Sequence, residues 1–322
     1  IVQLNDPRGQ RGLFSALRLD TRTLATRASP ESLGVEPPEG TTSSDSRLFS
    51  DKFDAMEILA AGGTENFRAA LNDWITLLGR GLMVTGTASS GAGGRLVPTA
   101  GAPRTWVKVG DGKDDPSKFD EAAFVQAIKD GQVVAGFGPF LTVTARSGSA
   151  SAGPGEVIAS NGGQVEIDVE AQSPTWLKYN RLEVFSYRAA AEATDGKPND
   201  DLPQDAIALQ ADGFPARRSL SLVGTSYNED VIRVDDQGQT VVAVKNVVRH
   251  TFTFKPEKDT FYIVVARTAA TRKDGQESGE AAPPSMAPIV FGEPGLELRP
   301  ISFANPIFVD VDGGGYDRPP GR

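Results

Sequence analysis

The chain has 322 residues, 39% hydrophobic and 23% charged, with 35 glycines and 22 prolines. That is enough for a well-buried core and, by size, two domains, in a turn-rich and strand-rich build. A net charge of −9 argues against a nucleic-acid partner, the lack of cysteine excludes disulfides and thiolate metal sites, and a single histidine excludes a multi-imidazole site built from this chain alone.

In chain order, residues 1–4 read as a strand ending in the turn-forming cluster Asn5-Asp6-Pro7-Arg8-Gly9. The first residues have neither an initiator Met nor the basic and apolar segments of a signal peptide. The chain is therefore expected to begin after a processing cut or inside something larger. From about residue 20 to 51, Ser, Thr, Pro and Gly occur without a period, which predicts a long surface excursion. Residues 53–59 are a strand candidate carrying Glu57 in an apolar run.

Thr64 is placed to cap the next helix. Phe67, Ala70, Leu71, Trp74, Leu77 and Leu78 recur there at helical spacing, and Gly79 and Gly81 end it. The stretch 82–107 predicts a strand at Leu82-Met83-Val84, a loop of Gly, Ser and Thr, and a second strand at Thr105-Trp106-Val107. A barrel strand delivers a loop to an active-site mouth in this way. Yet residues 85–104 contain no His, Cys, Asp or Glu. Nor do residues 86–94 match a Walker or dinucleotide pattern. Ser89 and Ser90 have a nucleophile's hydroxyl, but the only histidine, His250, is remote and reads as a strand-face residue.

Residues 115–130 predict a helix with Phe124, Ala127 and Ile128 inward and Gly131 as its stop. Residues 132–145 turn through Gly136-Phe137-Gly138-Pro139 into a strand. The order to this point is an α/β alternation. Residues 147–155 read as a linker or crossing loop. Period-two strands follow at 165–169, 182–185, 219–223, 240–244, 250–254 and 261–266, with polar excursions at 189–203 and 268–284. A last strand lies within 303–311. So many short strands predict a β-sandwich. Asp310-x-Asp312-Gly313 hints at calcium-loop spacing, but the distal Glu and central carboxylate are missing, so it reads as a turn.

Three stretches in order carry a resemblance: NDPRG at 5–9, FDAMEIL…ENFRAALNDWITLLGRGLMVTGTASSGAG within 53–93, and PRTWV at 103–107. GQVVAGFGPFLTVT and NPIFVDVDGGG extend it. Together they resemble the C-terminal part of a PHP-type (polymerase and histidinol phosphatase) metal-dependent hydrolase, in the CehA/McbA-like branch. The resemblance implies an α+β fold: the C-terminal part of a distorted (β/α) PHP-like barrel over 1–146, then a β-sandwich over 147–322.

The family's chemistry is attack by metal-activated water on a phosphoester, ester or amide, with His and carboxylate ligands at strand ends. Where the family has Asn-His-Pro-Arg, this chain has Asn5-Asp6-Pro7-Arg8; where it has Ser-Asp-Ser-His, this chain has Ser89-Ser90-Gly91-Ala92. The degenerate site positions are thus Asp6, Arg8, Glu57, Ser89, Ser90 and Ala92. The family's opening His-x-His ligands would lie before Ile1.

The resemblance implies a non-catalytic, hydrolase-derived binding or structural component with a lost metal site and no cofactor. The alternative is a metal-dependent ester, phosphoester or amide hydrolase completed by another polypeptide, with Asp6 and Glu57 as candidate oxygen ligands for one Mg²⁺ or Ca²⁺. A carbohydrate- or protein-binding module in the sandwich rests on fold analogy alone. The expected partner is the N-terminal part of the same precursor or another subunit, closing the sheet edge that a partial barrel leaves open. No membrane span is expected. The expected location is outside the bacterial cytoplasm: periplasm, cell surface or medium.

Overall fold

The computed structural model describes residues 1–29, 31–34, 49–60, 66–91, 101–113, 115–186, 216–221, 228–234, 237–268 and 299–317. The chain opens with β1 (Gln3–Leu4) and α1 (Leu13–Leu17), then β2 (Ala55–Ala60), α2 (Phe67–Leu78) and β3 (Thr85–Ser89). Next come β4 (Arg104–Val107), a 3₁₀ turn at Pro116–Lys118, α3 (Glu121–Lys129), β5 (Val133–Phe137) and β6 (Phe140–Ser147). Strands then take over: β7 (Ala150–Ala152), β8 (Val157–Ala159), β9 (Val165–Pro174), β10 (Arg181–Ser186) and β11 (Ala216–Ser221). The last are β12 (Asn228–Val234), β13 (Thr240–Phe254), β14 (Thr260–Arg267), β15 (Ile301–Ala304) and β16 (Ile307–Asp310).

The fold is mixed α/β, mostly strands with few helices, in open sheets, and no sheet closes into a barrel among the described residues. A small parallel sheet has the order β1-β2-β3. A central sheet runs β11-β10-β14-β15-β5-β4, with β16 joining β14 to β8. An outer sheet runs β12-β13-β9-β6-β7. Pairing crosses position 146 in both larger sheets: β5 pairs with β15, and β6 with β9. No helix among the described residues is long and apolar enough to cross a membrane.

The middle of the central sheet is buried on both faces, and side-chain alternation in β14 accounts for it. Phe261, Ile263 and Val265 enter a core shared with α2 and the parallel sheet. Tyr262, Val264 and Ala266 enter a second core shared with β6, β9 and β13. Such a strand reads as a continuous apolar run because neither face meets water. By contrast β9 alternates strictly, with Val165, Ile167, Val169 and Ala171 buried and Glu166, Asp168, Glu170 and Gln172 on the wetter face. Its outward acids are partly offset by Arg146 and Arg249 on neighbouring strands.

Several expectations are corrected. Leu82-Met83-Val84 is not a strand; the hydroxyl- and glycine-rich Thr85–Ser89 is. Packing room decides this. Trp74 is fully buried, and a Cβ on Gly86 would lie 2.6 Å from its indole. Only glycine lets β3 pass beneath the ring. Residues 147–155 are not a linker, since they turn β6 back into its hairpin partner β7. Residues 240–244 and 250–254 belong to one 15-residue strand. The terminal strand is split at Asn305-Pro306 into β15 and β16. β8 and β12 had no sequence signal strong enough to predict them. The helix expected from 115 begins at Glu121, where Asp120 caps the Ala123 N–H at 3.0 Å. Within it Ala127 is fully buried, and Phe124 and Ile128 only half. Thr64 and the excursion at 189–203 lie outside the described residues.

The parallel and central sheets meet at an edge that two side chains satisfy. The Gly86 N–H donates to Asn305 Oδ1 at 2.8 Å, and Asn305 Nδ2 donates to the carbonyls of Gly86 at 2.8 Å and Val133 at 3.1 Å. Two residues on, Thr105 Oγ1 accepts the Ala88 N–H at 3.0 Å and donates to the Ala88 carbonyl at 2.7 Å. Buried backbone groups left without partners cost about 1–3 kcal/mol each. In urea unfolding, Asn305→Ala is expected to cost about 3 kcal/mol or more. Thr105→Val should cost about 1–3 kcal/mol, whereas Thr105→Ser, which keeps the hydroxyl, should stay within about 1 kcal/mol of wild type.

Candidate functional site

The three strands of the parallel sheet each bring one group to a common point. After β1 the chain turns at Asp6, whose φ of 36° lies in the left-handed region that aspartate tolerates better than most residues. The turn closes with Gly9 N–H donating to the Asp6 carbonyl at 2.9 Å. A Cβ at position 9 would stand 1.8 Å from Asp6 Oδ2, so glycine makes room for that carboxylate. In this conformation the Asp6 N–H donates to Glu57 Oε2 at 2.6 Å. Ser89, at the end of β3, donates its hydroxyl to Glu57 Oε1. Register supports the meeting: Glu57 lies opposite Thr87, and a bulge follows between Glu57 and Leu59.

Glu57 is only 4% exposed. Burial, the largest influence, pushes its pKa above the usual carboxylate value, and the nearby Asp6 charge acts in the same direction. The Ser89 hydroxyl and the Asp6 and Ser89 N–H groups pull the other way without cancelling it. The site therefore favours a neutral carboxyl more than a surface glutamate would.

Arg8 does not join this group. Its Nε and Nη2 donate to Asp73 of α2 at 2.5 and 2.9 Å, and Nη2 also reaches the Leu19 carbonyl at 2.9 Å. Thr21 adds a hydroxyl to Asp73 at 2.8 Å, and the guanidinium stands 5.5 Å from the centre of the Phe14 ring. The hydrogen bond to Asp73 holds the Arg8 pKa above its ordinary value, against the effect of burial.

Of the positions singled out from sequence, the structure thus brings together Asp6, Glu57 and Ser89. Ser90 follows β3, half-buried, and Ala92 lies outside the described residues. The partner of Ser89 is Glu57, a carboxylate that sequence distance concealed. His250 is on β13 of the outer sheet, opposite Val169 and edge-on to Phe252. Asp73 was missed, although an acid beside the apolar stripe of α2 was a usable signal. At the far end, the Asp310 carboxylate accepts the N–H groups of Gly313 and Gly315, as a turn does.

As a cation site the set at Glu57 fits poorly. Both Glu57 oxygens already accept protein hydrogen bonds, and hard cations take about six to eight oxygens. Among the described residues no three or more His, Cys, Asp or Glu side chains group as metal ligands would. Comparison of the chain with known protein families, curated proteins and solved structures gave no match.

The raised Glu57 pKa has a defined consequence for stability. The folded chain keeps a proton that the unfolded chain releases near the ordinary value of 4.5. The stabilisation is complete below that pH and is lost as pH rises through the folded-state value. Glu57→Gln mimics the protonated acid: its carbonyl can accept from Asp6 and its amide can donate to Ser89. Melting temperatures measured between pH 4 and 8 should therefore fall more with rising pH for wild type than for Glu57→Gln. Parallel curves would show that Glu57 does not titrate differently on folding.

Proposed function

We propose that this chain is a non-catalytic binding or structural component derived from a PHP-type hydrolase scaffold. In this reading residues 1–146 are the C-terminal part of a distorted (β/α) barrel and residues 147–322 a β-sandwich. The observation that supports it is the engagement of Glu57. Its carboxylate, at the strand-end position where the family has metal chemistry, is buried and takes both the Asp6 N–H and the Ser89 hydroxyl. A carboxylate used this way ties three strands together, and both of its oxygens are already engaged by the chain. The open edge of the parallel sheet at β1, beside the exposed Ile1 and Val2, is where strands of the same precursor or of a partner subunit would add. We further propose an exported location for the assembly.

The second reading is a metal-dependent ester, phosphoester or amide hydrolase whose site that added segment completes. It draws on one observation, the closeness of Asp6 to Glu57 at adjacent strand ends. The two readings part on metal content and turnover. Elemental analysis of native material, with ester and phosphoester hydrolysis measured before and after chelation, is expected to find no stoichiometric metal and no chelator-sensitive activity. Stoichiometric zinc, manganese or iron, lost together with hydrolysis on chelation, would overturn the first reading in favour of the second.

A further inference from the structure

We infer that the cleft bounded by Arg8, Arg18, Arg22 and Arg27 is a binding site for a small polar molecule bearing a dianionic phosphate group. The cleft is open to solvent and has a volume of about 520 Å³, a size that suits a small-molecule ligand. It sets four guanidinium groups against two carboxylates, Asp20 and Asp73, in a chain whose net charge is −9. The local charge is thus opposite to that of the whole. Such a contrast concentrates anions at one place on the surface.

Both carboxylates already have internal work. Asp73 is held by Arg8 and by the Thr21 hydroxyl. Asp20 accepts the Arg22 N–H at 3.0 Å. Neither Arg18 nor Arg27 takes part in an ion pair among the described residues. Their guanidinium groups remain available to a ligand.

The backbone that carries these arginines is also fixed. Arg18 caps α1 in a left-handed conformation, with φ of 51°. A β-bridge joins Asp20 to Ala25, and the Leu24 N–H donates to the Asp20 carbonyl at 2.7 Å. The N–H groups of Arg27 and Ala28 both return to the Leu17 carbonyl, at 3.1 and 3.2 Å. The backbones of Arg18 and Arg27 are therefore held at a set separation before any ligand arrives, which lowers part of the ordering cost of binding. Planar guanidinium forks match tetrahedral oxyanions with paired hydrogen bonds, and several together favour a dianion over a single carboxylate.

This inference does not rest on the loss of the metal site, because it is read as binding heat and not as turnover. The test is isothermal titration of the full chain at low salt with inorganic phosphate, glycerol 3-phosphate and sulfate. Arg18→Ala and Arg27→Ala, both at exposed positions, leave the half-buried Arg8–Asp73 pair intact. Arg68→Ala on the exposed side of α2 removes the same charge away from the cleft. Saturable binding of phosphate or glycerol 3-phosphate is expected, weakened about tenfold by each cleft substitution and unchanged by Arg68→Ala. Absence of saturable binding with all three probes would overturn the site. So would equal weakening by Arg68→Ala, which would mean that only net charge matters. Saturation by sulfate alone would overturn the phosphate assignment.

Discussion

The structure depends on how one sheet edge is closed. β3 is the last strand of the parallel sheet, and its outward N–H and C=O groups face the central sheet without a backbone partner among the described residues. Asn305 and Thr105 each offer a donor and an acceptor, and each meets one residue of β3 at both its N–H and its carbonyl. A side chain with both functions can replace a strand wherever the next sheet crosses at an unsuitable angle. The substitution then constrains its neighbours. Asn305 must sit where β15 breaks from β16, and Gly86 must lack a side chain so that Trp74 can lie against the strand. Trp74 in turn donates its indole N–H to the Val84 carbonyl at 2.7 Å and meets Phe303 of β15 edge-on. Helix α2, the parallel sheet and the central sheet are coupled through this one region.

Around that seam the apolar layers are economical. The central sheet serves two cores, so its middle strands β14, β15 and β16 carry apolar residues on both faces and leave little surface for charge. Phe303 and Phe308 point into the first core, while Ala304, Ile307 and Val309 point into the second. Among the polar residues that do enter, the Ser302 hydroxyl of β15 has no hydrogen-bond partner among the described residues, whereas the charged Glu183 has one. Glu183, fully buried on β10, is held by both nitrogens of the Arg267 fork. Removing one member of such a pair leaves a buried charge uncompensated.

The same logic governs the strand-end site and the arginine cleft, with opposite results. At Glu57 a buried acid takes a hydrogen bond from the chain at each oxygen, which ties the strands together. At Arg8 the half-buried pair with Asp73 is also satisfied, but it lines a cleft whose other arginines stay exposed. Arg8 and Asp6 are two residues apart in one turn, yet they serve different neighbourhoods. The left-handed conformation of Asp6 is what separates them.

Much of this was legible in the sequence. Period two marked β9, a continuous apolar run marked β14, helical spacing marked α2, and Gly131 marked the end of α3. The resemblance singled out Asp6, Glu57 and Ser89 as positions, but nothing in the sequence paired Ser89 with Glu57. Other features were not legible. Nothing local to Thr85–Ser89 says strand, since its composition suits a loop and only its burial beneath Trp74 makes it one. Nothing in Asn305-Pro306 announces a bond to Gly86, 219 positions away. The arginines at 8, 18, 22 and 27 look like scattered solvated charges until the turn after α1 folds back on Leu17. The sequence by itself determined which segments are apolar on one face or two, and hence that layers must form. Tertiary structure alone decided which polar groups meet inside them, because hydrogen bonding between distant segments leaves no periodic trace along the chain.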